Sequence, residues 1–233
     1  MTISLENLRR IGDSNIERAF GLEIPQSLEE ACDPRRVALI VYDMQVGILR
    51  HIDRSADLIA NVVRVLQAAR QVGVRVFFMR HMSLPKELMG VFQLRMVLAW
   101  QRVRTVAEVT PWFLRDTPDF HLTSEVAPLP SEAVLDKLTF SAFEGTPLDI
   151  ALRDCGINSF ILVGVATEIG LEPTVRHGCD LGYIPILVTD ACGAGDQEAG
   201  ERALASLRFM GDAFFTTVEE ICDVLLRKAT RSA

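Results

Sequence analysis

Apolar residues along this chain follow two alternating rhythms. Residues 37–42, VALIVY, form an unbroken apolar and β-branched run between Pro34-Arg35-Arg36 and Asp43. A run without alternation predicts a strand buried on both faces. Over residues 56–71 the period lengthens. Leu58, Ile59, Val62, Val63, Val65 and Leu66 fall on one face of a predicted helix, with Ser55 as its expected N-cap and Gly73 just past its end. Residues 74–79 return to the strand pattern, so strand, helix and strand predict a parallel, right-handed crossover unit.

The same rhythm returns further on. Strand-like runs at 133–135, 160–163, 184–188 and 213–215 are interleaved with helical patterns at 146–153, 169–180, 197–210 and 218–227. Pro173 fits such a helix only within its first turn, where no backbone donor is needed. The expected fold class is therefore α/β: a doubly wound, mostly parallel sheet with helices on both faces, in three layers. Between the second strand and residue 133 a helix is expected near 86–105, followed by Pro111, Pro118, Pro128 and Pro130. An insertion of this kind commonly forms a lid or a subunit contact. Residues 1–33 read as a helical or loose N-terminal extension, and 34–233 as one domain.

Composition narrows the function. A chain of 233 residues can bury a substantial core. No apolar run approaches the roughly 18 to 20 residues that span a bilayer, and residues 1–18 mix charges with Leu and Ile instead of forming a secretory leader. The five cysteines, Cys32, Cys155, Cys179, Cys192 and Cys222, lie far apart and match no metal-binding spacing. A reducing, cytoplasmic setting is expected. A formal net charge of -7 disfavours nucleic acid as a partner. Arg95, Arg102 and Arg104 read as a solvated or ion-paired helix face.

In open parallel sheets, ligands bind beyond the carboxyl ends of the strands. Asp43 closes the first strand and is followed by Met44-Gln45; Lys137 follows the 133–135 strand. Residues 164–170, Gly-Val-Ala-Thr-Glu-Ile-Gly, leave a later strand and enter a helix whose free N–H groups suit an anion or a developing oxyanion. This segment has neither the lysine of a phosphate loop nor the glycine spacing of a dinucleotide fingerprint.

Three segments in this order resemble the isochorismatase-like hydrolase superfamily, which includes cysteine amidohydrolases acting on nicotinamide, ureidoacrylate and carbamoyl compounds. They are Asp43-Met44-Gln45, Lys137 with Phe140-Ser141-Ala142-Phe143, and Gly164-Val165-Ala166-Thr167, and the resemblance runs from about residue 37 to 226. It implies an Asp, a Lys and a Cys acting together, with Asp43 and Lys137 as the first two. It also implies a cis peptide between Val165 and Ala166, an anion-stabilising pocket of backbone N–H groups near Ala166 and Gly170, and a homo-oligomer, commonly a dimer or tetramer.

The third member of the triad is missing. Three residues past Thr167, where the cysteine hydrolases carry their nucleophile, this chain has Gly170. Glycine offers no nucleophilic atom, so an acyl-enzyme at this position is excluded. Cys179 lies nine residues on, about 13 Å along a helix axis, and cannot replace it; Cys192, beyond a later strand, is the one thiol with a route to the site. Isochorismatases proper also carry glycine here and hydrolyse a vinyl ether with the Asp as general acid. Glu168 stands where those enzymes differ from this chain; it reads either as a second acid or base or as a helix cap.

Gln45, His81, Phe143 and Thr167 are further candidates for substrate contact. Trp100, Trp112 and Phe113 suit apolar pocket walls, and Glu172 with Arg176 a local ion pair. His51, His121 and His177 form no ligand spacing, so no metal and no cofactor are expected. The resulting expectation is a hydrolase of a small amide, carbamoyl or enol-ether substrate, working by direct water attack with Asp43, Lys137 and Glu168. The alternative is a catalytically silent small-molecule binding protein.

Overall fold

The computed structural model describes residues 16–211 and 213–232. Strands β1 (Glu17–Ala19) and β2 (Leu22–Ile24) pair antiparallel around Phe20 and Gly21, whose φ values of 53° and 79° make the mirror-image turn that matches strand twist. A short helix α1 (Leu28–Ala31) follows. The helical or loose reading of this segment thus gives way to a hairpin, whose strands of three residues are too short to show a period. Ala31 and Cys32 are already in the core, and Ser159 Oγ donates to the Ala31 carbonyl at 2.7 Å. The expected extension at residues 1–15 lies outside the described residues.

The chain then runs β3 (Val37–Tyr42), α2 (Val46–Leu49), α3 (Ser55–Gln71), β4 (Arg75–His81), α4 (Val91–Gln101), β5 (Ala133–Lys137), α5 (Leu148–Asp154) and β6 (Ser159–Val165). After these come α6 (Glu172–Asp180), β7 (Ile184–Gly193), α7 (Gln197–Met210), β8 (Phe214–Thr216) and α8 (Val218–Ser232). Six parallel strands form one sheet in the order β5-β4-β3-β6-β7-β8. The doubly wound expectation is met.

All six residues of β3 are buried because each face meets its own helical layer. Val37, Leu39 and Val41 pack with Leu58, Val62, Ile221 and Leu225 of α3 and α8. Ala38, Ile40 and Tyr42 pack with Leu148, Leu152, Val175 and Leu207 of α5, α6 and α7. From β3 the chain winds outward through β4 and β5, and from β6 it winds the other way. The carboxyl ends of β3 and β6 therefore flank the topological switch point, where such sheets open a crevice. Gly164 makes that approach close: its φ is +122°, and a Cβ there would stand 2.1 Å from the Tyr42 carbonyl oxygen.

Local differences from the expected elements have identifiable causes. Ser55 is the first residue of α3, and Arg54, in the left-handed region, is its N-cap. The expected 86–105 helix divides into a single turn at Lys86–Leu88 and α4, separated by Gly90; α4 stops at Arg102, whose φ is 54°. The helix expected from 169 begins instead as a wide turn, Thr167–Leu171, and α6 starts at Glu172 with Pro173 in its first turn. No helix among the described residues is long and apolar enough to cross a membrane.

Candidate active site

Asp43 is the first residue past β3, and its φ of 49° turns its side chain away from the strand's alternation. Lys137 ends β5 and reaches over β4 to place Nζ 2.8 Å from Asp43 Oδ2. The side chains are 8% and 1% exposed, so each charge depends on the other for compensation. Lys137 Nζ also donates to the Thr139 carbonyl at 3.3 Å and lies 4.2 Å from the centre of the Tyr42 ring. Burial pushes Asp43 up to about 6 against the opposing pull of the Lys137 ammonium. Burial likewise pushes Lys137 down, with Asp43 opposing. Asp43 Oδ1 has no hydrogen-bond partner in the protein.

Gln45 is fully buried and its amide is committed to the scaffold. Its Nε2 donates to the carbonyls of His81 and Phe120 at 2.9 and 2.8 Å, and its Oε1 accepts the His81 N–H at 2.6 Å. It is thus a clamp on the end of β4 and does not line the cavity. What it clamps, His81, does line the cavity, with its ring edge-on to Phe113 at 5.6 Å. Burial, with the Lys137 charge adding to it, pushes His81 down to about 3, so the imidazole is neutral. Phe143 lies in the core, stacked on Tyr183 at 5.5 Å, and Thr167 Oγ1 donates to the Gly193 carbonyl at 2.9 Å. Neither is on the cavity wall.

The peptide between Val165 and Ala166 is cis, as the resemblance implies. The Ala166 carbonyl then accepts N–H groups from Ile169, Gly170 and Leu171 at 3.3, 2.9 and 3.2 Å, which opens the turn beyond a regular helix. Gly170 N–H is therefore already used, and the expected anion pocket cannot count it as a free donor. Glu168 Oε1 accepts from the N–H groups of Gly195 and Asp196 at 2.9 and 3.0 Å, pinning the loop before α7 instead of capping its own helix. Its Oε2 is buried with no partner in the protein. Above Gly170 stands Tyr42: a Cβ on Gly170 would lie 2.4 Å from the ring's Cε1 and from Oη.

These groups converge on a cavity of about 660 Å³ at the switch point. Asp43, Lys137, His81, Glu168, Ala166 and Gly170 line it, with walls from Ile48, Ile52, Trp100, Trp112, Phe113, Phe140 and Ile169. The 84–133 insertion thus supplies two tryptophans and a phenylalanine. Tyr42, His51 and Arg102 also face the cavity without having been singled out as site residues. Tyr42 reads as one more apolar strand position, and Arg102 as a solvated helix charge. His51 lacks ligand spacing, and only its stacking on Trp112, at 6.5 Å, reveals its place.

Cys192 is off the cavity wall. Its thiol lies against the second core layer, points to the Leu162 carbonyl at 3.6 Å, and is pushed up to about 12, chiefly by burial. Such a thiol is inert as a nucleophile. Glu172 and Arg176 form the expected ion pair at 2.7 Å. Among the described residues no three His, Cys, Asp or Glu side chains gather as a metal site would require.

A buried carboxylate–ammonium pair at the switch point of a parallel three-layer sheet defines an α/β protein with a site suited to acid–base chemistry on a small molecule. Comparison with known proteins makes that class specific. The isochorismatase domain family matches residues 37–220, and the chain belongs to that family. It is 30% identical over 217 residues to the ureidoacrylate amidohydrolase of Serratia proteamaculans (strain 568), covering 86% of this chain and 87% of that one. Its counterpart in Pantoea ananatis (strain LMG 20103) is 29% identical over 227 residues, covering 86% of each. A solved cysteine hydrolase from Pseudomonas syringae pv. phaseolicola 1448A superposes with a TM-score of 0.72 at 26% identity, over 85% of this chain and 96% of that chain.

Proposed function

We propose that the protein hydrolyses a small carbamoyl, ureido or amide compound by direct attack of water, with Asp43 handling the proton. One observation carries this reading: a buried, ion-paired carboxylate keeps one oxygen unpartnered at a cavity beside position 170, which has no nucleophilic atom. Similarity to proteins named ureidoacrylate amidohydrolases supports the substrate class.

In this mechanism Asp43 Oδ1 accepts a proton from water as the water oxygen bonds to the substrate carbonyl carbon. The tetrahedral oxyanion then collapses, the C–N bond breaks, and the same proton passes from Asp43 to the departing nitrogen. Water has been added across the C–N bond and the Asp43 carboxylate restored. Lys137 acts through its field, since its partners are already the Asp43 carboxylate, the Thr139 carbonyl and the Tyr42 ring. It holds Asp43 ionised against burial and stabilises the developing negative charge. Glu168 Oε2, unpartnered and buried, is an acceptor for a substrate N–H. An enol-ether substrate would instead take its proton from the neutral Asp43 carboxyl.

The Tyr42 ring above Gly170 favours a second reading, a binding protein without turnover, because it fills space beside the acid–base pair. The test is a panel of ureido, carbamoyl, primary-amide and enol-ether compounds, with binding measured by calorimetry and turnover by product analysis in H2(18)O. Turnover that incorporates label in the first cycle, forms no protein adduct by mass spectrometry and disappears in Asp43→Asn is expected. A covalent adduct, or full activity in Asp43→Asn, would overturn the mechanism; binding with no product across the panel would establish the silent protein.

A further inference from the structure

We infer that Tyr42 is a positioning residue of this site: its ring occupies the side-chain space of position 170 and backs the Lys137 ammonium, so Tyr42 and Gly170 form one coupled unit. The geometry is close. The Cβ of any residue at 170 would fall 2.4 to 2.5 Å from Cε1, Cζ and Oη of the Tyr42 phenol, nearer than non-bonded heavy atoms approach.

The ring has little freedom to yield. Tyr42 is 1% exposed, its hydroxyl donates to the Phe140 carbonyl, and Ile40 and Ala38 below it belong to the central strand. On its face toward Lys137, 4.2 Å away, it shields the ammonium from solvent while leaving Asp43 and Thr139 as hydrogen-bonding partners. The phenol itself is not a proton donor for the reaction: burial, with Asp43 adding to it, raises it well above its ordinary value. Its role is to fill space and exclude water. A thiol therefore cannot be installed at position 170 by one substitution; Tyr42 would have to shrink as well.

This inference rests on Asp43 and Lys137 being the working pair. Its tests require no substrate, so its failure is distinguishable from failure of the proposed hydrolysis. The first is a double-variant cycle read by thermal unfolding. Gly170→Ala should lower the unfolding temperature by about 3 to 10 °C in the wild-type background, as overpacking in a chain of this size does. In the Tyr42→Val background the same change should cost about 2 °C or less. Equal losses in both backgrounds overturn the coupling.

The second test follows the Asp43 carboxyl by carbon-13 NMR across pH. Because burial is the main cause of its raised midpoint, Tyr42→Val, which admits water, should move the midpoint down toward the ordinary carboxylate range. Tyr42→Phe, which keeps the ring, should leave it in place. A midpoint unmoved by Tyr42→Val, or moved equally by Tyr42→Phe, would show that the ring does not position the pair.

Discussion

Replacing Asp43 by Asn removes a carboxyl that holds its proton more tightly in the folded chain than in the unfolded one. Burial raises it from 3.8 to about 6, and its side chain is only 8% exposed, so solvent screens little of the effect. Two units at roughly 1.4 kcal/mol each correspond to a linkage on the order of 3 kcal/mol. Below about pH 4 both states are protonated, and above about 6 both are ionised. Between these limits the folded state carries the extra proton, so stability falls as pH rises.

His81 works the other way in an overlapping window. Pushed down to about 3, it stays neutral in the folded chain while the unfolded chain takes up a proton below about 6.5, so its contribution to stability rises with pH. Asp43→Asn retains His81 and its neighbour Lys137, and subtracting the two stability curves removes the shared part. The loss of a counter-ion for Lys137 adds an offset to the variant. Urea unfolding from pH 4 to 7.5 checks this: relative to Asp43→Asn, the wild type should lose on the order of 3 kcal/mol between pH 4 and 6. A difference that is flat, or that rises with pH, would refute the assignment of a raised carboxyl to Asp43.

Gln45→Leu should cost about 3 kcal/mol or more, because it strands the His81 N–H and the His81 and Phe120 carbonyls in a dry interior; a loss below about 1 kcal/mol in denaturant unfolding would show that water replaces the amide. Cys192 should resist alkylation by iodoacetamide at pH 8 in the folded protein and react on unfolding, read by peptide mass mapping, since its thiol is pushed up to about 12 by burial.

The layered fold was legible because its strongest signals are long and periodic. The β3 run has no alternation since both its faces are covered, and α3 shows a helical stripe since only one of its faces is. Asp43, Lys137 and the 164–170 turn were legible for a different reason: each closes a strand at the carboxyl edge, where the winding reverses. Less legible were features decided across the fold. Gln45 looks like a ligand for substrate until the His81 and Phe120 backbones supply its partners. Arg102 looks solvated until α4 ends beside the cavity. The β1–β2 hairpin is set by the conformation of Phe20 and Gly21, which hydrophobic period does not report.

Gly170 joins the two kinds of information. In sequence the resemblance sets it where cysteine hydrolases carry their nucleophile, an expectation about chemistry. In the structure it is also a statement about volume, since the space its side chain would enter belongs to Tyr42, which ends β3 on the opposite flank of the switch point from Gly170 itself. Neither residue alone signals that relation: a tyrosine ending a buried strand is ordinary, and a glycine in a turn is ordinary. Among the described residues, the buried carboxylate oxygens without a partner are Asp43 Oδ1 and Glu168 Oε2. Proton transfer and N–H recognition are what such acceptors can supply, and it is on those two capacities that the proposed attack by water rests.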